Sequence, residues 1–349
     1  MVRKEICALA CLGALSGTAM AQSSVTLYGI VDTTLRYTSH ADASGGSRFQ
    51  MADGLVTGDR IGFRGVEDLG GGNKAIFTLE NGFSPANGTL LQGSREFGRQ
   101  AFVGLSGQWG TLTMGRQYTV THEMIASHDV FALANYAPDG IVGGNYSGAR
   151  LDNTVKYRGA YGPFYFSAAF SFGNVPGDFH SGSSPAVGIG YGSGPWNFSV
   201  TYQVMNDVTT AFYGLPIDPS QQKVWSATGT YTFSNSQLYF GYVGSRIDVA
   251  DYRDDTGYLA VNQQVFPWLH FIAAGWFDHM RHADQSGNRW TGTLMLDYLL
   301  SKRTDVYVEA DYTKLSGVWT STAAQPQFQT PFFGYSSQVG ANIGLRHTF

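Results

Sequence analysis

Residues 303–314 read RTDVYVEADYTK. In an extended chain, successive side chains point to opposite faces, so Val306, Val308, Ala310 and Tyr312 share one side. Asp305, Tyr307, Glu309 and Asp311 share the other. A soluble barrel would turn such aliphatic residues inward and the charges to water. A barrel that spans a membrane needs the reverse, an apolar outside and a polar lumen.

The same reading extends along the chain. In RWTGTLMLDYLL (289–300), Trp290, Leu294, Leu296, Tyr298 and Leu300 oppose Thr291, Thr293 and Asp297. In SVTLYGIVDTTLRY (24–37), Val25, Leu27, Val31, Leu35 and Tyr37 oppose Thr26, Tyr28, Asp32, Thr34 and Arg36. Phe164, Phe166, Ala168, Phe170 and Phe172 align, as do Trp196, Phe198, Val200, Tyr202 and Val204. Runs of about ten residues suit a tilted strand crossing a bilayer, and about sixteen such runs can be counted. Glycine-rich connectors such as DLGGGNK (68–74) suit tight hairpins, whereas 173–185 and 205–222 read as long loops. One end with short turns and one with long loops is the asymmetry of an outer-membrane barrel. Alternation by itself also fits soluble sandwiches and barrels. The aromatics at run ends (Tyr37, Trp196, Trp290, Tyr312, Phe349) favour the membrane, where they form interfacial girdles. Phe349 closes the final alternating run, and its strand must pair with the first to remove the sheet edges.

Composition agrees. Charged residues are 14% of the chain and aromatics another 14%, with 45 glycines; soluble domains carry roughly 25% charge. No apolar run after the leader reaches the ~18 residues of a membrane helix. Residues 1–21 read as a signal peptide, with Arg3 and Lys4, an apolar stretch and Ala19-Met20-Ala21 before Gln22. The expected mature unit is then a single barrel, 22–349. Both cysteines, Cys7 and Cys11, lie in the leader, so no mature site can rest on a thiol. A net charge of −4 argues against a nucleic-acid partner.

Five blocks in order, SVTLYGIVD, DRIGFRGVEDLGGGNKAIFTLENGF, RQAFVGLSGQWGTLTMGRQY, LSKRTDVYVEADYTK and GLRHTF, resemble the trimeric general porins of Gram-negative bacteria, β-proteobacterial branch. The resemblance spans Val25 to Phe349. It implies an all-β, sixteen-stranded antiparallel transmembrane barrel with an inward-folded third long loop, assembled as a homotrimer in the outer membrane. It further implies that the terminal segment ending in Phe349 is read by the barrel-assembly machinery, although His347 stands where an aromatic is usual. The implied function is passive diffusion of small hydrophilic solutes and ions, without cofactor, metal or catalysis.

Residues 119–152 show no sustained alternation, yet carry Met124, Ile125, Val130, Phe131, Leu133 and Ile141. So long a connector is usually functional or disordered, and the apolar content speaks against disorder. It stands at the place of the family's constriction loop, without the Pro-Glu-Phe-Gly-Gly stretch of the enteric branch. A lipid-facing Arg at mid-bilayer costs roughly 2–4 kcal/mol, which sends ambiguous arginines inward. Arg60 and Arg64 share an inward face; Arg99 orients GRQAFVGL with itself inside; Arg150, Asp152, Lys156 and Arg158 oppose Leu151, Val155 and Tyr157. By resemblance, Arg60, Arg99 and Arg150 match the family's basic wall, with Glu123 and Asp129 as the acids on the loop opposite; Arg64, on the face it shares with Arg60, is a further candidate for the basic wall of the constriction. Ile30 stands where some porins carry lysine. Opposed charges at a constriction sort solutes by charge, here leaning toward anions, with Asp297, Glu309 and Asp311 pulling the other way.

Enzyme chemistry finds little support. Ser127-His128-Asp129 has triad residue types, but adjacent residues rarely meet as a triad. His279 and His282 are three apart and face opposite sides of a strand. Alternatives to a general diffusion channel are a channel selective for a nutrient such as an organic acid, and a non-conducting surface barrel or adhesin.

Overall fold

The computed structural model describes residues 23–54, 56–133, 148–210, 216–320 and 332–349. The expected leader, 1–21, and the middle of the 119–152 connector lie outside them. The strands are β1 (Ser24–Thr38), β2 (Arg48–Asp53), β3 (Arg60–Gly70), β4 (Asn73–Gly82), β5 (Gln100–Gly107), β6 (Gly110–Tyr118), β7 (Arg150–Tyr161), β8 (Phe164–Ser171) and β9 (Ser184–Ser193). They continue as β10 (Trp196–Thr210), β11 (Pro216–Phe233), β12 (Ser236–Ile247), β13 (Tyr252–Phe266), β14 (Leu269–His282), β15 (Gln285–Leu299), β16 (Thr304–Leu315) and β17 (Ser337–Thr348). Each pairs antiparallel with its sequence neighbour, and β17 returns to β1 with Thr38 opposite Gly340 and Ile30 opposite Thr348.

The barrel has sixteen staves, because β2 and β3 are two parts of one. β1 pairs with β2 from Thr38 to Thr33 and with β3 from Ile30 onward. Asp53 and Arg60 thus stand three β1 positions apart, and residues 54 and 56–59 form an elbow into the lumen. There the Asp32 carboxylate accepts from Val56 N at 3.2 Å and Thr57 N at 2.8 Å. Val56 packs with Phe131, Leu133 and Tyr307. The period-2 reading begins its second run at Asp59 and misses this inward elbow.

The layering is inverted as expected. Val308 is 45% and Leu294 56% exposed, while Asp305 and Glu309 are 6% and 7% exposed. Those carboxylates are tolerable because arginines from other staves reach them. Arg36 Nη1 donates to Asp311 Oδ2 at 2.7 Å and Nη2 to Asp311 Oδ1 at 3.1 Å. Arg346 lies 3.1 Å from Asp305. The first bridge runs from β1 across β17 to β16, so it also staples the closing seam. At the other end of that seam, Gly29 and Phe349 exchange two N–H···O bonds of 3.1 Å. The Phe349 ring lies over Gly29, where any Cβ would collide with it.

Tight turns occupy one end, as at Gly70, Gly71 and Gly72, all with positive φ. Of 173–185, residues 173–183 form a connector and the last two open β9, whereas 205–222 is largely strand: β10 runs on to Thr210 and β11 starts at Pro216. Polar residues such as Asn206 and Gln222 belong to the ladder there because it extends beyond the apolar band.

Candidate functional site

The connector after β6 leaves its stave through a short helix, α1 (Val120–Ala126). Thr119 caps it by accepting from His122 N at 3.2 Å, and Glu123 sits in the first turn, where the helix dipole favours an acid. Val120, Met124 and Ile125 are buried, with Val120 and Met124 packed beside Ala186 of β9. Beyond the helix, His128 Nδ1 lies 2.9 Å from Thr228 Oγ1 and 3.1 Å from Ser199 Oγ. Tyr258 Oη donates to His128 O at 2.9 Å. These bonds hold the connector against the inner wall. They also separate the residues of the Ser-His-Asp triplet, since Ser127 Oγ donates to Met124 O at 2.8 Å.

Between this connector, the 54–59 elbow and the wall lies a cavity of about 760 Å³, lined by Arg60, Arg99, Arg150, Arg158, Tyr118, His122 and Glu123 among others. Tyr118 is its centre. Its hydroxyl accepts from Arg150 Nη2 at 2.6 Å and also from Arg99 Nη2. The Arg150 guanidinium carbon stands 4.2 Å from the Tyr118 ring centroid, and His122 stacks on that ring at 4.6 Å. Arg99 Nε donates to Glu80 Oε1 at 2.8 Å, and Tyr28 Oη donates to Glu80 Oε2 at 2.9 Å. Arg60 Nε is held by Gly58 O at 2.8 Å. Lys156 Nζ bonds Glu123 Oε1 at 2.7 Å, with Arg158 3.5 Å from the same oxygen. Burial, then the guanidinium of Arg150, holds the His122 imidazole well below its ordinary pKa, so it is neutral at pH 7.

Arg60, Arg99, Arg150 and Glu123 thus share one cavity. Three other expectations change. Asp129 does not face the arginines: it is 3% exposed and accepts from Phe131 N at 3.0 Å and Leu133 N at 3.1 Å, closing its own turn. An Asp two residues before a turn amide forms this bond locally, which the residue type alone cannot distinguish from a pore acid. Arg64 lies in an adjoining chamber with Thr78, Gln100 and Arg158, its guanidinium 4.5 Å from the Tyr28 ring. Glu123 does not stand opposite the basic wall either; it is neutralised by Lys156 and Arg158 of β7.

Alternation also fails where the staves meet the connectors. Val103 and Leu105 are 60% and 48% exposed, so β5 turns Gln100 and Phe102 inward and its odd residues out. Arg99 still points inward because it precedes β5 and is not bound by its period. On β7, Asn153 has a φ of +52°, a bulge that sends Asp152 to Arg116 at 2.7 Å and Arg95 at 2.8 Å, away from the Tyr118 cavity. The sequence reading missed Glu80 and Tyr118. Glu80 was visible, since it alternates inward with Thr78 against Phe77 and Leu79; Tyr118 sits at the run end, where no period applies.

Comparison with known proteins agrees with this geometry. The Gram-negative porin family profile matches residues 8–317. The chain is 34% identical over 267 residues to an outer membrane porin of Bordetella pertussis, covering 69% of each chain. It is 29% identical to outer membrane porin protein 32 of Delftia acidovorans over the full length of both. Among solved structures, an anion-selective porin from Comamonas acidovorans superposes with a TM-score of 0.77 at 26% identity, covering 94% of this chain and all of that one. A trimer form of OmpT from Vibrio cholerae shares the fold at a TM-score of 0.69 and 15% identity, covering 94% of this chain and 99% of that one. With an apolar exterior, a charged lumen and an inward connector on sixteen staves, the chain belongs to the Gram-negative porin family, outer-membrane channels that perform no catalysis.

Proposed function

We propose that the Tyr118 cavity is the narrow section of the channel and that it tips permeation of small hydrophilic solutes toward anions. One observation carries the reading: Arg60 and Arg150 face the cavity and form no ion pair with a carboxylate among the described residues. Around the same cavity, Glu80 and Glu123 are each held by neighbouring cations. The surplus positive field lies where the lumen is crowded by the connector and the 54–59 elbow, and fixed charge sorts ions most strongly in a narrow section. The anion-selective porin with the same fold supports it. The channel works as a homotrimer, as the family resemblance implies, and the segment ending in Phe349 serves its assembly.

Reversal potentials across a planar bilayer in a salt gradient test the selectivity. Arg60→Ala with Arg150→Ala is expected to lower the anion-over-cation permeability ratio several-fold, more at low salt, where screening is weak. An unchanged ratio sinks the assignment. Arg99→Ala is a poorer probe, since it strands the buried Glu80 carboxylate.

A further inference from the structure

The ladder of β1 has a gap. Asp53 of β2 stands opposite Thr33 and Arg60 of β3 opposite Ile30, so Val31 and Asp32 have no strand partner on that side. A buried backbone group must still be paired. For Asp32 the elbow supplies both partners: Gly54 N donates to Asp32 O at 2.8 Å, and Asp32 N donates to Asp59 Oδ1. The fully buried Asp32 side chain adds more. Besides the amides of Val56 and Thr57, its carboxylate accepts from Tyr307 Oη of β16 at 2.6 Å. Arg346 of β17 donates to Thr57 Oγ1 at 2.9 Å. The elbow is thereby pinned to the wall from β1, β16 and β17, with Asp32 at the centre.

The elbow in turn aims Arg60. The ladder fixes only the backbone of Arg60, opposite Ile30 and Gly82. Its long side chain reaches the cavity that also holds Arg99 and Arg150, and like charges repel. A guanidinium in that company needs a tie. Gly58 O, two residues back on the elbow, provides one by accepting from Arg60 Nε at 2.8 Å. Val56, Thr57 and Gly58 line the same cavity, so a shift of the elbow moves both the tie and the wall.

We infer that Asp32 is a positioning residue for the selectivity of the channel: by pinning the elbow it sets where the Arg60 guanidinium stands in the Tyr118 cavity. This rests on the reading that Arg60 tips permeation toward anions. The sign of the effect is its signature. A carboxylate on the lumen side ordinarily favours cations, so deleting one should raise the preference for anions. At Asp32 the deletion also frees the Val56 and Thr57 amides, the elbow lets go, and the preference for anions falls.

Reversal potentials of the purified full-length protein in planar bilayers test this at low salt. Asp32→Asn removes the charge but keeps an oxygen for the two amides, and its anion-over-cation permeability ratio is expected to match or exceed that of the wild type. Asp32→Ala removes both, and its ratio should fall by about twofold or more. In an Arg60→Ala background Asp32→Ala should cause no such fall, because the arginine it positions is gone. Thr57→Val changes no charge and removes only the bond from Arg346, so a smaller fall is expected. A rise in Asp32→Ala, as a bare lumenal charge would give, overturns the inference, as does an equal fall without Arg60. Should Asp32→Ala form no channels, Thr57→Val decides, and an unchanged ratio there overturns it. A ratio in Arg60→Ala equal to the wild type marks the other failure, that of the selectivity reading, and takes this inference with it.

Discussion

Asp129 shows how one side chain can serve structure where a pore role was expected. Its carboxylate is buried and bonded to two amides of its own turn, and burial raises its pKa to about 6. The folded connector therefore binds this proton more tightly than the unfolded chain, whose aspartate titrates near 3.8. Its stabilising effect is complete below that value and is lost as pH rises through about 6. Lowering the pH from 7 to 5 should tighten the docked connector by about 1 kcal/mol, less than half of the ~3 kcal/mol that the whole shift carries below pH 3.8. Thermal unfolding in detergent checks it: Asp129→Asn should remove most of the wild type's extra gain at pH 5. An identical pH response in both proteins would place the effect elsewhere. The cost of a charge facing lipid placed Arg60, Arg99 and Arg150 in the lumen, and the family resemblance placed Glu123 and Asp129 there on the loop. The sequence could not separate Asp129 from the others, because that difference lies in two local amide bonds.

At the scale of elements, the inward connector is seated by α1. Gly188 of β9 lies beneath it, where a Cβ would collide with Met124 and reach Val120 Cγ1 at 3.0 Å. Gly188→Val should therefore lift α1 off the wall into the lumen and reduce single-channel conductance without changing the stave ladder. Conductance equal to the wild type would show that the helix is not held by this contact. The helix leaves a readable trace in THEM, with a capping threonine before it and an acid in the first turn, but the break in alternation at 119 shows only that the stave ends. The 54–59 elbow left less. Its position follows from the pairing of β1 with both β2 and β3, a relation between segments distant in sequence.

For the whole barrel, the inverted layering governs what the surface tolerates. Val308 is 45% exposed near the middle of β16. On a soluble protein, arginine at so exposed a position would cost little. Here Val308→Arg should destabilise the folded barrel by roughly 2–4 kcal/mol, because it faces the bilayer midplane. Equilibrium unfolding in lipid vesicles measures it. A change near zero would mean that this face does not contact hydrocarbon.

The sequence by itself determined the staves and which face of most of them meets lipid, because period-2 alternation and the cost of charge in hydrocarbon act residue by residue. It also showed that something must close the sheet at Phe349. The lining of the Tyr118 cavity, by contrast, was legible only in the folded chain. Tyr118, Glu80, the elbow after β2 and the three arginines come together on five consecutive staves, β3 to β7, and all but Glu80 lie at strand ends or in connectors, where the backbone leaves its period. Their contacts depend on the register between neighbouring staves, which no local pattern encodes.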